Sequence, residues 1–208
     1  MTSSGNARHD DVRARALEDM RRFEVVMEGH FDYGNGFHGK LYLNPHKLLQ
    51  WPSTVWRVAQ DLVDIMPPDF AEAEVIAGPA TGGAILAHTV AGLLDGRRPM
   101  THPPYSFAPF GDQEGRPTLS PFYATSMRGK RVLIVDDVRN TGTTFRKCAD
   151  LVAEAGGTVI GIMQIVDRCE ACVTVDVPNV ALVEYTAPPN HPAASCPLCA
   201  AKVPITTF

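Results

Sequence analysis

Apolar positions along the chain recur with two different periods, and their alternation lays out the elements. Val12, Ala16, Met20, Phe23 and Met27 fall near helical spacing. A helix capped by Asp10 or Asp11 and running to about Glu28 is therefore expected, preceded by a polar tail over residues 1–10. Residues 29–44 are interrupted by glycines and alternate at Leu41, Tyr42 and Leu43, which reads as a hairpin. Pro52 suits the first turn of a helix reaching about Met66, where Pro67 and Pro68 stop it.

Further on, the pattern becomes strand, glycine turn, helix. Residues 74–77 read as a short buried strand, and residues 78–83 form a turn with three glycines. Ile85, Leu86, Thr89, Val90, Leu93 and Leu94 then share one helical face that ends at Gly96. Residues 131–135 form a second buried strand with a second glycine-bearing turn, and Phe145, Cys148, Ala149 and Val152 follow at i, i+3, i+4, i+7. A third strand is expected over 158–166. This succession predicts an α/β fold with a central, mostly parallel sheet flanked by helices. In such sheets ligands bind at the carboxyl ends of the strands, where both glycine turns fall. Residues 100–127 break the pattern with five prolines and read as two short strands joined by a mobile loop over about 111–120, a candidate lid.

Composition narrows the function. The chain has 208 residues, 45% of them hydrophobic, enough for one domain spanning 1–208. Nineteen Lys and Arg against 23 Asp and Glu give a net charge of −4, which excludes a broadly basic nucleic-acid coat. No apolar run is long enough to span a membrane, and residues 1–11 carry no secretory pattern. A cytoplasmic protein with small-molecule partners, binding neither nucleic acid nor membrane, is the expectation. The five cysteines are then thiols or metal ligands rather than a disulfide framework.

Residues 132–144, VLIVDDVRNTGTT, carry the chemistry. The strand delivers two adjacent carboxylates, Asp136 and Asp137, to the sheet edge. Neighbours on an extended segment point to opposite sides, so one can face a ligand while the other braces the loop. Asn140, Thr141, Gly142, Thr143 and Thr144 lead into a helix N-terminus, whose free N–H groups and hydroxyls suit a phosphate. Carboxylates beside a phosphate cradle point to a polyhydroxylated, phosphorylated ligand with a divalent cation. Neither a P-loop nor a dinucleotide-binding glycine pattern is present.

These thirteen residues resemble the phosphoribosyl-diphosphate signature of the type I phosphoribosyltransferases. The turn at 78–83 is similar to that family's diphosphate loop, and residues 84–87 resemble the orotate-using members. Stretches at 28–31, 36–38, 42–43 and 48–50, with Pro52, resemble the N-terminal hood of those enzymes, which here includes the hairpin at about 29–50. Asp167 and Arg168 resemble an Asp-Arg pair whose arginine contacts orotate. Cys196 and Cys199 resemble a tail found in one bacterial branch, within a Cys-rich C-terminal segment over 169–208 that would complete the hood. The resemblance spans about residues 20–200.

The implied reaction transfers the 5-phosphoribosyl group from phosphoribosyl diphosphate to orotate. It yields orotidine 5′-phosphate and diphosphate, with Mg²⁺, in pyrimidine nucleotide biosynthesis. By the same resemblance Asp136 and Asp137 are the catalytic pair beside the ribose. Residues 140–144 hold the 5-phosphate, and Thr81, Gly82 and Gly83 offer amides to the diphosphate. Arg168 receives the base, His38 lies by base and sugar, and the protein is a homodimer. A same-fold transferase for another base, or a non-catalytic phosphoribosyl-diphosphate-binding regulator, are the alternatives. The lid departs from the family, since Arg116 is its single fixed cation against Asp112 and Glu114. Arg116, His102 or Lys40 would have to serve the departing diphosphate.

The remaining candidates are metal ligands. Cys169-x2-Cys172 and Cys196-x2-Cys199 form two knuckles that suit a structural zinc, or are two unrelated pairs. Cys148 reads as core, and Trp51 and Trp56 read as packing residues.

Overall fold

The computed structural model describes residues 3–34, 36–170, 173–186 and 188–207, with side chains in the first helix from His9 onward. Helix α1 covers Ser3–Arg22, so the segment taken as a tail is helical from Ser3. It also ends earlier than its apolar spacing suggests. Glu24 takes a left-handed conformation, φ 50°, and Val25 N–H bonds back to Met20 O, which turns the chain out of the helix. Met27 therefore belongs to strand β1, Val26–Asp32, which pairs antiparallel with β2, Phe37–Leu43.

A short helix α2, His46–Leu49, precedes α3, Pro52–Ile65, which carries Pro52 in its first turn as expected. The α/β core follows as β3, Val75–Pro79; α4, Gly82–Arg97; β4, Ser106–Gln113; β5, Arg116–Thr118; α5, Pro121–Met127; β6, Arg131–Arg139; α6, Thr143–Glu154; and β7, Thr158–Asp167. The C-terminal segment was expected to be a tail throughout. Instead it first contributes β8, Asn179–Glu184, whose Ala181, Leu182 and Val183 are buried at the sheet edge, before β9, His191–Pro192, and α7, Pro197–Ala200.

The main sheet has the order β5-β4-β3-β6-β7-β8 and is parallel except for the β4/β5 pair. Strand β6 is buried on both faces. Leu133 and Val135 pack under α1, α3 and α4, while Val132 and Ile134 pack under α6. Truncating fully buried Leu133 to alanine would cost about 2–5 kcal/mol. Residues 111–118 form a paired hairpin, turned through Glu114 and Gly115 with φ of 53° and 74°. The second strand expected before Met127 continues instead as α5, because Pro121 opens a helical turn. A second sheet, β1-β2-β9, joins the N-terminal hairpin to the C-terminal segment as the expected hood. Among the described residues no helix is long and apolar enough to cross a membrane.

Candidate active site

Strand β3 has β4 on one side and β6 on the other, so the connections leave it in opposite directions. A crevice opens at this switch point, outside the carboxyl ends of the strands. Two loops fill it. The first, residues 78–83, leads into α4, and its Ala80–Thr81 peptide is cis. Its glycines are fixed by close approach. A Cβ on Gly82 would lie 2.2 Å from Asp137 Oδ2, and one on Gly83 would lie 2.5 Å from Pro79 Cδ and 2.8 Å from Asp136 Oδ1. The backbone thus lies directly against the two carboxylates, with no side chain between.

The second loop follows β6. Asp136 Oδ1 accepts the Asp137 backbone N–H at 2.8 Å, so this carboxylate braces the turn. Asp137 faces the crevice, with His46 Nε2 3.8 Å from its Oδ2. Both aspartates are 7% exposed. Burial, together with the charge of Asp137, holds Asp136 well above the usual carboxylate range. Burial also raises Asp137, partly opposed by His46. The pair therefore accommodates a cation more readily than two free charges.

Beyond them Gly142, φ 83°, caps α6 from a left-handed conformation that favours glycine. Gly142 offers no side-chain cap, the Thr143 N–H reaches only the Thr141 hydroxyl at 3.5 Å, and the hydroxyls of Thr141 and Thr143 stand 2.9 Å apart beside the helix end. A helix end of this kind suits an anion. Arg139 is not among the residues lining the crevice. Its guanidinium binds Asp167 at 3.1–3.2 Å and the Val173 carbonyl at 3.3 Å, tying the loop to the end of β7.

Two adjoining cavities occupy the crevice. One, about 220 Å³, is lined by Thr81, Gly82, Asp136, Asp137, Asn140 and Thr144, with Asp112 and Pro117 of the hairpin. The other, about 330 Å³, lies between Tyr33 and Tyr42 of the hood, Arg168, Glu170 and Asn190. His46, Asp137, Val138 and Asn140 line both. Arg168 is 9% exposed, and its Nη1 donates to Asn140 Oδ1 at 3.3 Å. Its Nε has no hydrogen-bond partner, and its Nη2 is ion-paired with Glu170 Oε1 at 2.9 Å without hydrogen-bond alignment. A buried guanidinium in a cavity wall, with one nitrogen unbonded and another facing a replaceable carboxylate, suits a planar anion.

Most of the residues expected from the sequence converge here, and a few do not. Gly83 and Gly142 shape the loops, and Thr143 is exposed beside the helix end. Arg116 is exposed on β5 and lines neither cavity. His38 was placed by base and sugar. Instead its ring turns inward, 3.2 Å from Cys199 Sγ and from His30 Nε2, outside both cavities. The four-cysteine grouping is not assembled either. Cys169 lies beside Asp167, while Cys196 and Cys199 lie against the two histidines, and Cys172 lies outside the described residues. Trp51 and Trp56 are half exposed rather than packed.

Sequence reasoning passed over His46, Glu170 and Asn190. Each sits on a connection whose course is set by its neighbours, and only the proline beside His46 hinted at a fixed turn.

A family model described as "Phosphoribosyl transferase domain" matches residues 48–178, more than half of the chain. An orotate phosphoribosyltransferase of Caldanaerobacter subterraneus is 30% identical over 193 residues, 93% of this chain and 95% of that protein. One of Thermus thermophilus is 31% identical over 190 residues, 91% and 97% of the two. The fold is similar to that of the crystal structure of orotate phosphoribosyltransferase from Aeropyrum pernix, with TM-score 0.62 and 22% identity, covering 81% of this chain and 93% of that one. It is also similar to the Mycobacterium tuberculosis enzyme in complex with inorganic phosphate, with TM-score 0.60 and 20% identity, covering 84% and 96%. With a glycine-rich loop, an aspartate pair and a helix N-terminus meeting at one switch point, and with relatives alike over nearly their whole length, the chain belongs to the phosphoribosyltransferase family.

Proposed function

We propose that the protein transfers the 5-phosphoribosyl group from phosphoribosyl diphosphate to orotate, giving orotidine 5′-phosphate and diphosphate for pyrimidine nucleotide biosynthesis. The observation that carries this reading is Arg168, a buried guanidinium whose Nε has no hydrogen-bond partner and whose Nη2 meets only the Glu170 carboxylate, in the wall of the cavity adjoining the sugar cradle. The naming of the curated relatives after orotate supports it.

In this reading Asn140, Thr141, Gly142, Thr143 and Thr144 hold the 5-phosphate at the start of α6. Thr81, Gly82 and Gly83 present the loop backbone to the diphosphate. Asp137 lies beside the ribose and the positive charge that develops at its reacting carbon, and Asp136 keeps the turn in place. Arg168 receives the carboxylate or a carbonyl of the base, and Tyr33 and Tyr42 close over its plane. The hairpin at residues 111–118 closes on the site as the lid, bringing Arg116 toward the leaving group.

Magnesium fits the cavity. Three carboxylates, Asp112, Asp136 and Asp137, line it, and among the described residues no lysine or arginine does. A diphosphate entering such a lining needs a cation for charge balance. When bound, Mg²⁺ would neutralise the leaving diphosphate, with Asp137 and Asp136 as the nearest protein ligands. The half-exposed Trp51 and Trp56 support a homodimer. A biosynthetic enzyme of this kind is placed in the cytoplasm.

The cation-poor lining favours a second reading, a relative that binds the activated sugar but transfers it to another base or not at all. Purified protein incubated with Mg²⁺, phosphoribosyl diphosphate and single bases separates the two. Diphosphate release that depends on orotate supports the first. Release with a purine or uracil alone, or tight sugar binding without turnover on any base, overturns it.

A further inference from the structure

Away from both cavities, four potential ligand atoms from opposite ends of the chain converge. His30 of β1, His38 of β2, and Cys196 and Cys199 around α7 place one donor atom each within 4.8 Å of one another. We propose that these four residues form a tetrahedral zinc site that fastens the C-terminal segment to the N-terminal hairpin.

The distances fit an ion at the centre. Zinc bonds of about 2.0–2.1 Å to nitrogen and about 2.3 Å to sulfur make tetrahedron edges of about 3.3 Å between nitrogens and about 3.6 Å between nitrogen and sulfur. In the structure His30 Nε2 and His38 Nδ1 are 3.2 Å apart. The nitrogen–sulfur separations are 3.6 Å for His30 to Cys196, 3.7 Å for His30 to Cys199 and 3.2 Å for His38 to Cys199.

The outer ring atoms point to the same arrangement. His30 Nδ1 lies 2.9 Å from the Val203 carbonyl, which can only accept, so Nδ1 carries the proton and Nε2 presents a lone pair. His38 Nε2 faces Asp32 Oδ1 at 3.9 Å. With the His38 proton on that side, Nδ1 would present a second lone pair toward the first. Two lone pairs 3.2 Å apart repel unless a cation lies between them. Histidine ligands whose second nitrogen is held by a carbonyl or carboxylate are the usual outer arrangement of zinc sites. Two thiolates with two imidazoles, three of the four residues buried, favour zinc over a hard cation.

The surroundings explain what the ion would do. Among the described residues the tail also meets the hairpin through the short β2/β9 pairing, with His38 opposite His191, main-chain bonds from Ala193 to Gly36 and between Thr206 and both His30 and Asp32, and the His30 bond to the Val203 carbonyl. So small a unit gains stability from a metal that a hydrophobic core of this size does not supply. Asn190, just before β9, and Tyr33 and Tyr42 of the hairpin all line the larger cavity, so the clip also fixes the wall facing Arg168.

The site does not depend on which base is used. Protein purified without chelators should carry one zinc per chain by elemental mass spectrometry. Cobalt exchanged into it should give the intense visible absorption of a tetrahedral thiolate site. Cys199→Ser, at the exposed corner, should lose the metal, while Cys169→Ser and Cys172→Ser keep it. Should Cys199→Ser fail to fold, a thiol-modifying reagent added to the intact protein with a chromogenic chelator should release one zinc as two thiols react. Sub-stoichiometric zinc in the chelator-free protein, an octahedral cobalt spectrum, or loss of zinc in Cys169→Ser would each overturn the assignment.

Discussion

Arg168 Nη2 lies 2.9 Å from Glu170 Oε1 in the wall of the larger cavity, close enough for an ion pair yet without hydrogen-bond alignment. Glu170 thus stands where an anionic substrate group would compete for the guanidinium. Arg168→Ala should raise the KM for orotate roughly 10- to 100-fold, the worth of one or two charge-assisted hydrogen bonds, and leave that for phosphoribosyl diphosphate within about twofold. Glu170→Gln should lower the orotate KM by removing the competing charge. Steady-state kinetics on both variants checks the pair, and shifts in the same direction would count against the role given to Arg168.

Asp136→Asn should stabilise the ligand-free protein at neutral pH and weaken Mg²⁺-dependent activity. The folded state raises the Asp136 pKa, so burying the ionised group costs stability above the unfolded value near 4. The cost builds as pH climbs from that value through the raised folded one, and is absent below it. Asparagine keeps the oxygen that accepts the Asp137 N–H and drops the charge. Thermal unfolding should show an upward shift of a few degrees at pH 7 that disappears near pH 3. An unchanged melting temperature at pH 7 would mean that the pair already shares a proton or a cation.

Gly82→Ala tests the backbone cradle. Its Cβ would meet Asp137 Oδ2 at 2.2 Å and Leu49 Cδ1 at 3.0 Å, so the loop must shift. A stability loss of about 1–3 kcal/mol is expected, with a larger effect on turnover, since the displaced amides no longer meet the diphosphate. Denaturant unfolding and kcat/KM measured side by side separate the two effects.

Arg116→Ala addresses the lid. The residue is exposed on the hairpin, and in the proposed role it would reach the leaving group only on closure. Single-turnover kinetics should slow by about tenfold, equivalent to roughly 1.4 kcal/mol of electrostatic stabilisation. An unchanged rate removes this arginine from the mechanism and leaves charge balance to the metal or to a second subunit.

Asp167→Ala should damage the fold before the chemistry. Its carboxylate accepts from Arg139 at 3.1–3.2 Å, from Asn179 Nδ2 at 2.8 Å and from the Cys169 N–H at 2.8 Å. Removing it strands a nearly buried guanidinium at a cost of about 3–5 kcal/mol, lowering the melting temperature by on the order of 10 °C. Calorimetry reads this directly, and Asp167→Asn should lie between.

The parallel sheet, the helices behind it and the glycine-bearing loop at the sheet edge were legible because each is local. A buried strand such as 131–135, a glycine turn and an apolar helical face are written in consecutive residues, and a strand-turn-helix unit places its own loop at the sheet edge. Strand β8 was not legible, since its short apolar run follows a segment whose course depends on Asp167 and Arg139. The early end of α1 escaped too, because Glu24 takes up a left-handed turn without the glycine that usually signals one.

The amino-acid order by itself determined the reaction class: residues 132–144 carry acids, amides and hydroxyls in one stretch, and their placement follows from a single strand end. Only the tertiary structure decided the partners of Cys196 and Cys199. The spacing of the cysteines pointed to Cys169 and Cys172, but β1, β2 and β9 pair across about 160 residues of chain and bring His30 and His38 to them instead. Side chains that meet through such long-range pairing leave no periodic trace in the sequence, because closing a long loop constrains its ends and not the residues between them.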